Sequence, residues 1–317
     1  MALTCTIPGK TFLVGEYLAL HGGPTLSALT KPCFELIAQK ANYSGKSGEQ
    51  AGSLGSIHPE SPAGKFILDH SDYFNKFDLQ FSDPYQGMGG FGASTAQFLG
   101  AYALWMYQES HQIGMEAPFD FKHLLSVYQK YAWSGQGTPP SGADLIAQMK
   151  GSMCFFEKRK GLVSVAGWPF EDLEFYLIHT GNKVATHEHL KSLKEFDSSV
   201  LEKAAYQVQD AFATANSAEL LAGVKAYAQA LQSLGFTCEP TLKLLEGIRA
   251  VPGVLAAKGC GALGADVLFV LTQKNKSAAL EQYCQLVNVK LVASHRSISL
   301  GLQVAERTDA VGVVKEM

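Results

Sequence analysis

The sequence lacks the features that mark membrane-spanning, secreted or nucleic-acid-binding proteins. Its 26 basic and 29 acidic residues nearly balance, and it contains no long basic run, so it has no general electrostatic attraction to nucleic acid or anionic lipid. No segment reaches the ~18 apolar residues that a membrane span needs, and the N-terminus has no basic stretch followed by an uninterrupted apolar run. We therefore expect a cytoplasmic protein with no nucleic-acid or membrane partner.

Cysteine and histidine spacing exclude two further kinds of structure. The six cysteines form no CxxC pair and no framework spacing, which favours free thiols in a reducing compartment. Only His187 and His189 lie close together, and they lack the i, i+4 spacing of a zinc pair. What the sequence does have is 317 residues with 47% hydrophobic content, enough for two globular domains.

The most informative stretch is a cluster of glycines followed by a helical pattern. Glycine stands at positions 87, 89, 90 and 92, and apolar residues recur at helical spacing from Phe98 to Met106. Glycines let a backbone approach an anion closely, and a helix N-terminus adds unpaired N–H groups and a partial positive charge. On these residues alone, a phosphate-binding loop and a tight turn into a core helix both remain open.

The first half of the chain predicts a mixture of strands and helices around these glycines. Residues 3–20 predict short strands with a turn at Pro8–Lys10, and the prolines at 139 and 140 separate one helix from the loop that enters the next. The other predicted elements are a strand at Phe34–Gln39, a hairpin or mobile loop at Asn42–Ser61, a helix at Phe121–Ala132, a helix ending by Gly151, a strand at Ser152–Lys158 and a charged turn at Lys158–Gly161.

The second half predicts a different order of elements, βαββαβ. A strand, long helical territory and a further helix are followed by two strands, a helix and a last strand, at Leu173–His179, Ser198–Leu234, Thr241–Ala250, Val254–Lys258, Asp266–Thr272, Ala278–Leu286 and Val289–Ala293. This is the order of a ferredoxin-like domain. We therefore predict an α+β protein of two domains, residues 1–170 and 171–317, with the boundary near Gly167–Asp172.

Three separated stretches carry a combined signature. They are Pro8–Gly23 (PGKTFLVGEYLALHGG), Gly89–Ala96 (GGFGASTA) and Ala256–Asp266 (AAKGCGALGAD). In order and spacing they resemble the first motif, the phosphate loop and the third motif of the GHMP kinases, small-molecule kinases named for galactose, homoserine, mevalonate and phosphomevalonate. We call the three stretches the first motif, the glycine loop and the third motif. Three matches in the right order are far more specific than one glycine-rich loop.

The resemblance implies a fold, a cofactor and a class of substrate. It implies an N-terminal nucleotide-binding domain like ribosomal protein S5 domain 2, a C-terminal ferredoxin-like domain and an active site between them. It also implies ATP and Mg²⁺ as cofactors and a small-molecule acceptor from the mevalonate pathway, which supplies isoprenoid precursors. A homodimer is a possible assembly.

Two branches of the family compete for the closest resemblance. Tyr17 stands where mevalonate kinases usually have histidine, and Gln136-Gly137 followed by Ser141–Asp144 resembles the QG…SGxD segment of phosphomevalonate kinases. The short chain and His21-Gly22 resemble mevalonate kinases instead. We favour phosphomevalonate kinase, with mevalonate kinase as the alternative. A catalytically weak homologue that binds a phosphorylated metabolite and a diphosphomevalonate decarboxylase are further alternatives.

The resemblance assigns nucleotide binding to the glycine loop. Its backbone N–H groups would surround the phosphates, and the Ser94 hydroxyl would contact phosphate or Mg²⁺. The residues expected in this role are Gly89, Gly90, Gly92, Ala93, Ser94 and Thr95. Three departures from the usual loop, at Phe91, Ala93 and Thr95, leave weakened nucleotide binding or a different acceptor open.

Catalysis is assigned to two charged residues. Lys10 would offset the charge that develops on the transferring group, and Asp144 would face the acceptor hydroxyl as a general base or as an electrostatic partner of Lys10. Asp144 could instead cap a helix, and Ser141 has the same ambiguity. Glu16 could orient Lys10 or bind the metal with Ser94. It could equally form an ion pair that only stabilises the fold.

Acceptor binding is assigned to residues from four segments of the chain. The expected residues are Glu16, Tyr17, Ser141, Gly142, Thr180, Lys183, Gly261 and Ala262. Thr180 and Lys183 would contact anionic groups of the acceptor, although an ordinary loop explains this stretch as well. Leu263 and Ala265 replace small residues that are usual in the third motif, and the added bulk of Leu263 bears on how closely its backbone can approach a ligand.

Overall fold

The computed structural model describes residues 2–41, 53–113, 120–181, 193 and 195–307. These residues form two antiparallel sheets with helices packed against them, so the predicted α+β class is confirmed. Within the described ranges, no helix combines the length and the apolar character needed to cross a membrane.

The first sheet is built on two long strands, β1 (Ala2–Val14) and β2 (Pro24–Lys40), which pair antiparallel. The prediction of short strands separated by a turn at Pro8–Lys10 is wrong. The strand continues through this segment, and only its register shifts, between Pro8 and Gly9. Glycine is required at the shift, because a Cβ on Gly9 would lie 2.1 Å from the Tyr85 hydroxyl oxygen.

Shorter elements complete this first sheet and cover it. They are β3 (Phe77–Ser82), β4 (Met153–Glu157), β5 (Leu162–Ala166), α1 (Pro62–Asp69), α2 (Ser71–Phe74), α3 (Ala93–Ile113), α4 (Phe121–Ala132) and α5 (Ala143–Lys150). The predicted charged turn is a short helical turn, Lys158–Lys160, and it leads into β5, which the sequence did not predict. Of the predicted loop at 42–61, residues 42–52 lie outside the described residues.

The second sheet has the strand order β7-β8-β6-β9, all antiparallel. Its elements are β6 (Leu173–His179), α6 (Ser199–Thr214), α7 (Ser217–Ser233), α8 (Glu239–Arg249), β7 (Val254–Cys260), β8 (Val267–Gln273), α9 (Ala278–Leu286) and β9 (Lys290–Ser294). The predicted ferredoxin-like order is confirmed. The long helical territory is two helices, because the chain turns left-handed at Ala215 and Asn216 then caps α7 through the N–H groups of Ala218 and Glu219.

The last strand, β10 (Gln303–Arg307), returns to the first sheet and pairs with β1, with Ala2 opposite Arg307. The predicted division at residue 170 stays a prediction, and β10 lies beyond it in sequence but in the first sheet. The glycine loop enters α3, whose apolar stripe behaves as predicted: Phe98, Ala101 and Tyr102 are buried. That buried stripe fixes α3 against the first sheet and so fixes the position of the loop at its start.

Candidate functional site

A cavity of about 200 Å³ lies where the first motif, the glycine loop and the third motif meet. The first motif and the glycine loop belong to the first sheet and its helices, whereas the third motif joins β7 to β8 of the second sheet. The residues that line the cavity are Lys10, Thr11, Phe12, Glu16, Tyr17, Gly90, Gly92, Asp144, Cys260, Gly261, Ala262, Asp266 and Val267. Eight of these were predicted site residues, drawn from four separate segments of the chain.

The two predicted catalytic side chains form an ion pair in this cavity. The Lys10 Nζ lies 2.8 Å from Asp144 Oδ2, with the lysine side chain 7% exposed and the aspartate 31% exposed. The same ammonium lies 4.1 Å from the centre of the Phe12 ring. An ammonium has three donors, so Lys10 can hold Asp144 and still donate to an oxygen that enters the cavity.

Asp144 does not cap its helix. The N-cap of α5 is Gly142, in a left-handed conformation with φ 74°, and Asp144 lies in the first turn. Ser141 accepts a bond from the Ala143 N–H at 3.3 Å, so it contacts the helix start. Glycine is favoured at 142, because side chains rarely adopt this left-handed conformation. The carboxylate of Asp144 is therefore available to the cavity.

The glycine loop meets the cavity with bare backbone. Gly90 and Gly92 both have positive φ, 89° and 81°, which side chains rarely adopt. A Cβ on Gly89 would lie 2.8 Å from a carboxylate oxygen of Asp266, and one on Gly90 would lie 2.8 Å from Val267 Cγ2. The third motif therefore packs directly against the loop. Ser94 is exposed at the start of α3, and Ala93 is half-buried.

The phenylalanine in the loop does not fill the cavity. Phe91 is 1% exposed, and its ring stacks on Tyr85 with centroids 4.0 Å apart and planes 7° apart. The Phe91 carbonyl accepts a bond from the Lys10 N–H at 2.9 Å. The Phe91 side chain therefore points into the core and does not obstruct a ligand. The backbone of the loop is bonded to β1, the strand that carries Lys10.

Glu16 is held by a buried lysine that the sequence did not single out. The Lys258 Nζ lies 2.9 Å from Glu16 Oε1, and the two side chains are 0% and 5% exposed. This geometry favours the structural ion pair over the metal role, which for Glu16 stays a prediction. The pair joins the first motif to the third, 242 residues apart.

The charges around Lys258 decide its protonation. Burial acts to lower the pKa of Lys258, but Cys260 and Glu16 raise it, and the net direction is upward. Burial raises the pKa of the Cys260 thiol to about 11, so this cysteine is a neutral thiol near pH 7. The negative partner of Lys258 is therefore the Glu16 carboxylate.

Tyr17 spans from the first motif to the third. Its ring stacks on Phe236 with centroids 4.2 Å apart, and its hydroxyl accepts a bond from the Leu263 N–H at 3.0 Å. Leu263 has φ 52°, a conformation uncommon for a side chain with this bulk. Burial raises the pKa of the Tyr17 hydroxyl. The tyrosine thus stabilises the backbone of the third motif as well as lining the cavity.

We expect Tyr17→Phe to lower the free energy of unfolding by about 1 kcal/mol, because the Leu263 N–H loses this acceptor while the stacked ring stays. Chemical denaturation of both proteins measures the difference. Tyr131→Phe is the control, since it removes an exposed hydroxyl that donates to Asp69 at 2.9 Å, and we expect a change below about 0.5 kcal/mol. Equal losses in the two variants would contradict the bridging role of Tyr17.

The remaining predicted site residues lie at different depths. The Thr180 hydroxyl donates to the Ala265 carbonyl and its N–H donates to the Asp266 carbonyl at 3.1 Å, so Thr180 supports the third motif from behind. Lys183 lies outside the described residues, and its role stays a prediction. Sequence reasoning assigned no role to Asp266, Lys258 or Gln148. Asp266 and Lys258 could have been found because both lie in the third motif, whereas nothing local marks Gln148.

No sequence model of a known family matches the chain, and no curated protein matches it by sequence. Solved structures do match in fold. A Listeria innocua protein matches with a TM-score of 0.72, 17% identity and coverage of 97% of this chain and 100% of its own. The Methanococcus jannaschii mevalonate kinase matches with a TM-score of 0.69 and 14% identity, over 94% of this chain and 98% of its own. The Streptococcus pneumoniae phosphomevalonate kinase, in complex with phosphomevalonate and AMPPNP, matches with a TM-score of 0.68 and 14% identity, over 93% of this chain and 99% of its own. The chain therefore shares the fold of these three proteins over 93–97% of its length.

Proposed function

We propose that this protein is a GHMP-type kinase that transfers the γ-phosphoryl group of ATP to phosphomevalonate. The observation that carries the proposal is the Lys10–Asp144 ion pair, 2.8 Å between Nζ and Oδ2, in the same cavity as Gly90 and Gly92 of the glycine loop. Phosphoryl transfer needs positioning and charge stabilisation more than covalent chemistry. A lysine, a carboxylate and a backbone anion cradle in one cavity meet those needs.

Each group has a role that follows from its chemistry. Asp144 accepts the proton of the acceptor hydroxyl, and its exposed fraction of 31% lets that hydroxyl reach it. Lys10, whose ammonium lies beside Asp144 in the cavity, offsets the negative charge that develops on the transferring group. The first N–H groups of α3 have no carbonyl partner within the helix, so they bind the nucleotide phosphates.

The residues around the cavity also fit a magnesium ion. Mg²⁺ usually keeps several waters and takes one or two carboxylates together with phosphate oxygens, and Asp266 brings a carboxylate against Gly89 of the glycine loop. In the proposal, Asp266 and Ser94 would hold the ion, because one oxygen of Glu16 is bonded to Lys258. When bound, the ion would neutralise charge on the phosphates. Within the described residues, no three His, Cys, Asp or Glu side chains come together as a metal site, so phosphate oxygens and water would supply the other ligands.

Phosphomevalonate is the favoured acceptor because Tyr17 and the Ser141–Asp144 segment resemble those of phosphomevalonate kinases. The fold does not separate the candidates: the S. pneumoniae enzyme with phosphomevalonate and AMPPNP bound shares it over 93% of this chain. A mevalonate kinase is the nearest alternative, because the M. jannaschii enzyme shares the fold to the same degree. A weakly active homologue is a further alternative, although the inward packing of Phe91 removes one reason for it.

We expect release of ADP from MgATP to depend on phosphomevalonate and to be at least about tenfold faster than with mevalonate, a margin equivalent to about 1.4 kcal/mol of transition-state binding. A coupled ADP assay with phosphomevalonate, mevalonate, galactose and homoserine measures it. Turnover with mevalonate and none with phosphomevalonate would make the protein a mevalonate kinase. Calorimetric binding of AMPPNP without turnover on any acceptor would make it a binding protein, and carbon dioxide release from diphosphomevalonate would make it a decarboxylase.

A further inference from the structure

Gln148 is fully buried, with 0% of its surface exposed, one helical turn after Asp144 on α5. Its Nε2 donates to the Pro8 carbonyl at 3.0 Å and to the Gly92 carbonyl at 3.2 Å, and its Oε1 accepts from the Thr95 hydroxyl at 2.6 Å. Both carbonyls can only accept, so the amide nitrogen must face them. The side chain thus joins β1, the glycine loop and the first turn of α3.

The bond to Gly92 fixes the entrance to α3. The Gly92 carbonyl also accepts the Ala96 N–H at 2.9 Å, the first bond of the helix. With the helix and Gln148 both bonded to this oxygen, the peptide between Gly92 and Ala93 has one orientation. That orientation sets where the unpaired N–H groups of the helix start point.

The bond to Pro8 fixes the distance from the loop to Lys10. Pro8 lies two residues before Lys10 on β1, and the Lys10 N–H itself donates to the Phe91 carbonyl at 2.9 Å. The strand and the loop are therefore joined twice, once through backbone alone and once through Gln148. Loss of the second link would let the lysine shift relative to the loop, and small shifts of reacting groups cost much of the rate.

We infer that Gln148 is a positioning residue that, together with Thr95, holds the glycine loop and Lys10 in the geometry that phosphoryl transfer requires. The inference rests on the proposed function. It also accounts for Thr95, which stands where the family usually has a small residue: its hydroxyl supplies the proton that the Gln148 oxygen accepts. Asp144 and Gln148, four residues apart on α5, then contact Lys10 and Pro8 of the same strand.

The test compares two substitutions that keep the volume of the side chain. Gln148→Met removes all three bonds, and Gln148→Glu keeps an acceptor for Thr95 but removes both donors. We expect each to raise the dissociation constant for ADP and to lower kcat, each by about tenfold, because buried carbonyls and the loop lose their partner. Calorimetry with ADP and the coupled kinase assay measure the two effects. Tyr73→Phe is the control, because it removes a buried bond from a hydroxyl to the Leu104 carbonyl on α3 at 2.9 Å without touching the loop.

Variants of Thr95 test the hydrogen bond between its hydroxyl and the Gln148 side chain. We expect Thr95→Ser to bind ADP within about twofold of the wild type and Thr95→Val to weaken binding several-fold. In the Gln148→Met background, Thr95→Val should cost less than in the wild type, because the bond between the two residues is already lost and only the contact of the Thr95 hydroxyl with the Gly92 carbonyl, at 3.0 Å, remains.

Three outcomes would overturn the inference. Wild-type kcat and ADP binding in both Gln148 variants, with a loss of stability equal to that of Tyr73→Phe, would make the residue purely structural. Equal damage from Thr95→Ser and Thr95→Val would remove the hydroxyl from the account. Failure of the wild type to bind ADP or AMPPNP would remove the proposed function and the inference together, and this is seen before any variant is made.

Discussion

Asp144→Asn is expected to lower kcat by about 10²- to 10⁴-fold while changing the affinity for ATP by less than about threefold. Asparagine keeps the shape of the side chain but cannot accept a proton from the acceptor hydroxyl, and it withdraws the charge that lies 2.8 Å from the Lys10 ammonium. In the proposed function the nucleotide binds to the backbone of the glycine loop, whereas the Asp144 carboxylate pairs with Lys10. Single-turnover kinetics and AMPPNP calorimetry separate the two effects.

Asp120→Asn is the matched control for this substitution. Asp120 also lies at a helix start in the same part of the chain, where it caps α4 by accepting the Lys122 N–H at 3.0 Å. Asparagine caps as well as aspartate does, so we expect neither kcat nor stability to change. If Asp144→Asn lowered stability and left kcat intact, the carboxylate would be structural and the proposed base would have to be found elsewhere.

Glu16→Gln is expected to lower the free energy of unfolding by about 3–5 kcal/mol, because it leaves the Lys258 ammonium buried without a charged partner. Lys258 is 0% exposed and Glu16 is 5% exposed, so little solvent screens the unpaired charge. Urea denaturation measures the loss. Combining Glu16→Gln with Lys258→Met should restore more than half of it, since replacing both charges in a buried pair is often neutral.

The exposed pair of Lys243 and Glu239 provides the comparison. Their charged atoms lie 3.5 Å apart at i, i+4 on α8, and both side chains are more than two-thirds exposed. We expect Glu239→Gln to cost less than about 0.5 kcal/mol. If Glu16→Gln cost no more than this and instead abolished the dependence of turnover on Mg²⁺, the metal role of Glu16 would stand and the ion pair would be incidental.

Local patterns predicted the elements that depend on nearby residues. The spacing of apolar residues between Phe98 and Tyr102 predicted the helix after the glycine loop. Strand and helix patterns predicted the order of elements along the second half of the chain. The turn predicted at Pro8–Lys10 was wrong because Pro8 and Gly9 stay paired with β2, opposite Cys33 and Thr30, and the two residues that shift the register lie on β2. Turn residues in a sequence do not reveal whether a neighbouring strand keeps the chain extended.

The site was predicted in part for the same reason. Lys10, the glycine loop and Asp144 belong to recognisable motifs, so their presence in one cavity could be anticipated from the resemblance. The partners of these residues could not. Lys258 contacts Glu16 across 242 residues of sequence, and Gln148 contacts Pro8 across 140 residues. No local sequence pattern predicts which distant residue a buried lysine in β7 or a glutamine in α5 will contact.

The return of β10 to the first sheet constrains the order in which this protein can mature during synthesis. Domains generally fold as they emerge, with the N-terminal one first, but the edge of β1 is covered only when Gln303–Arg307 pair with it. Until the ribosome has delivered that strand, β1 presents unpaired N–H and C=O groups of the kind that recruit other chains. Completion of the first sheet therefore follows synthesis of the second, and until then the edge of β1 remains open to pairing with other chains.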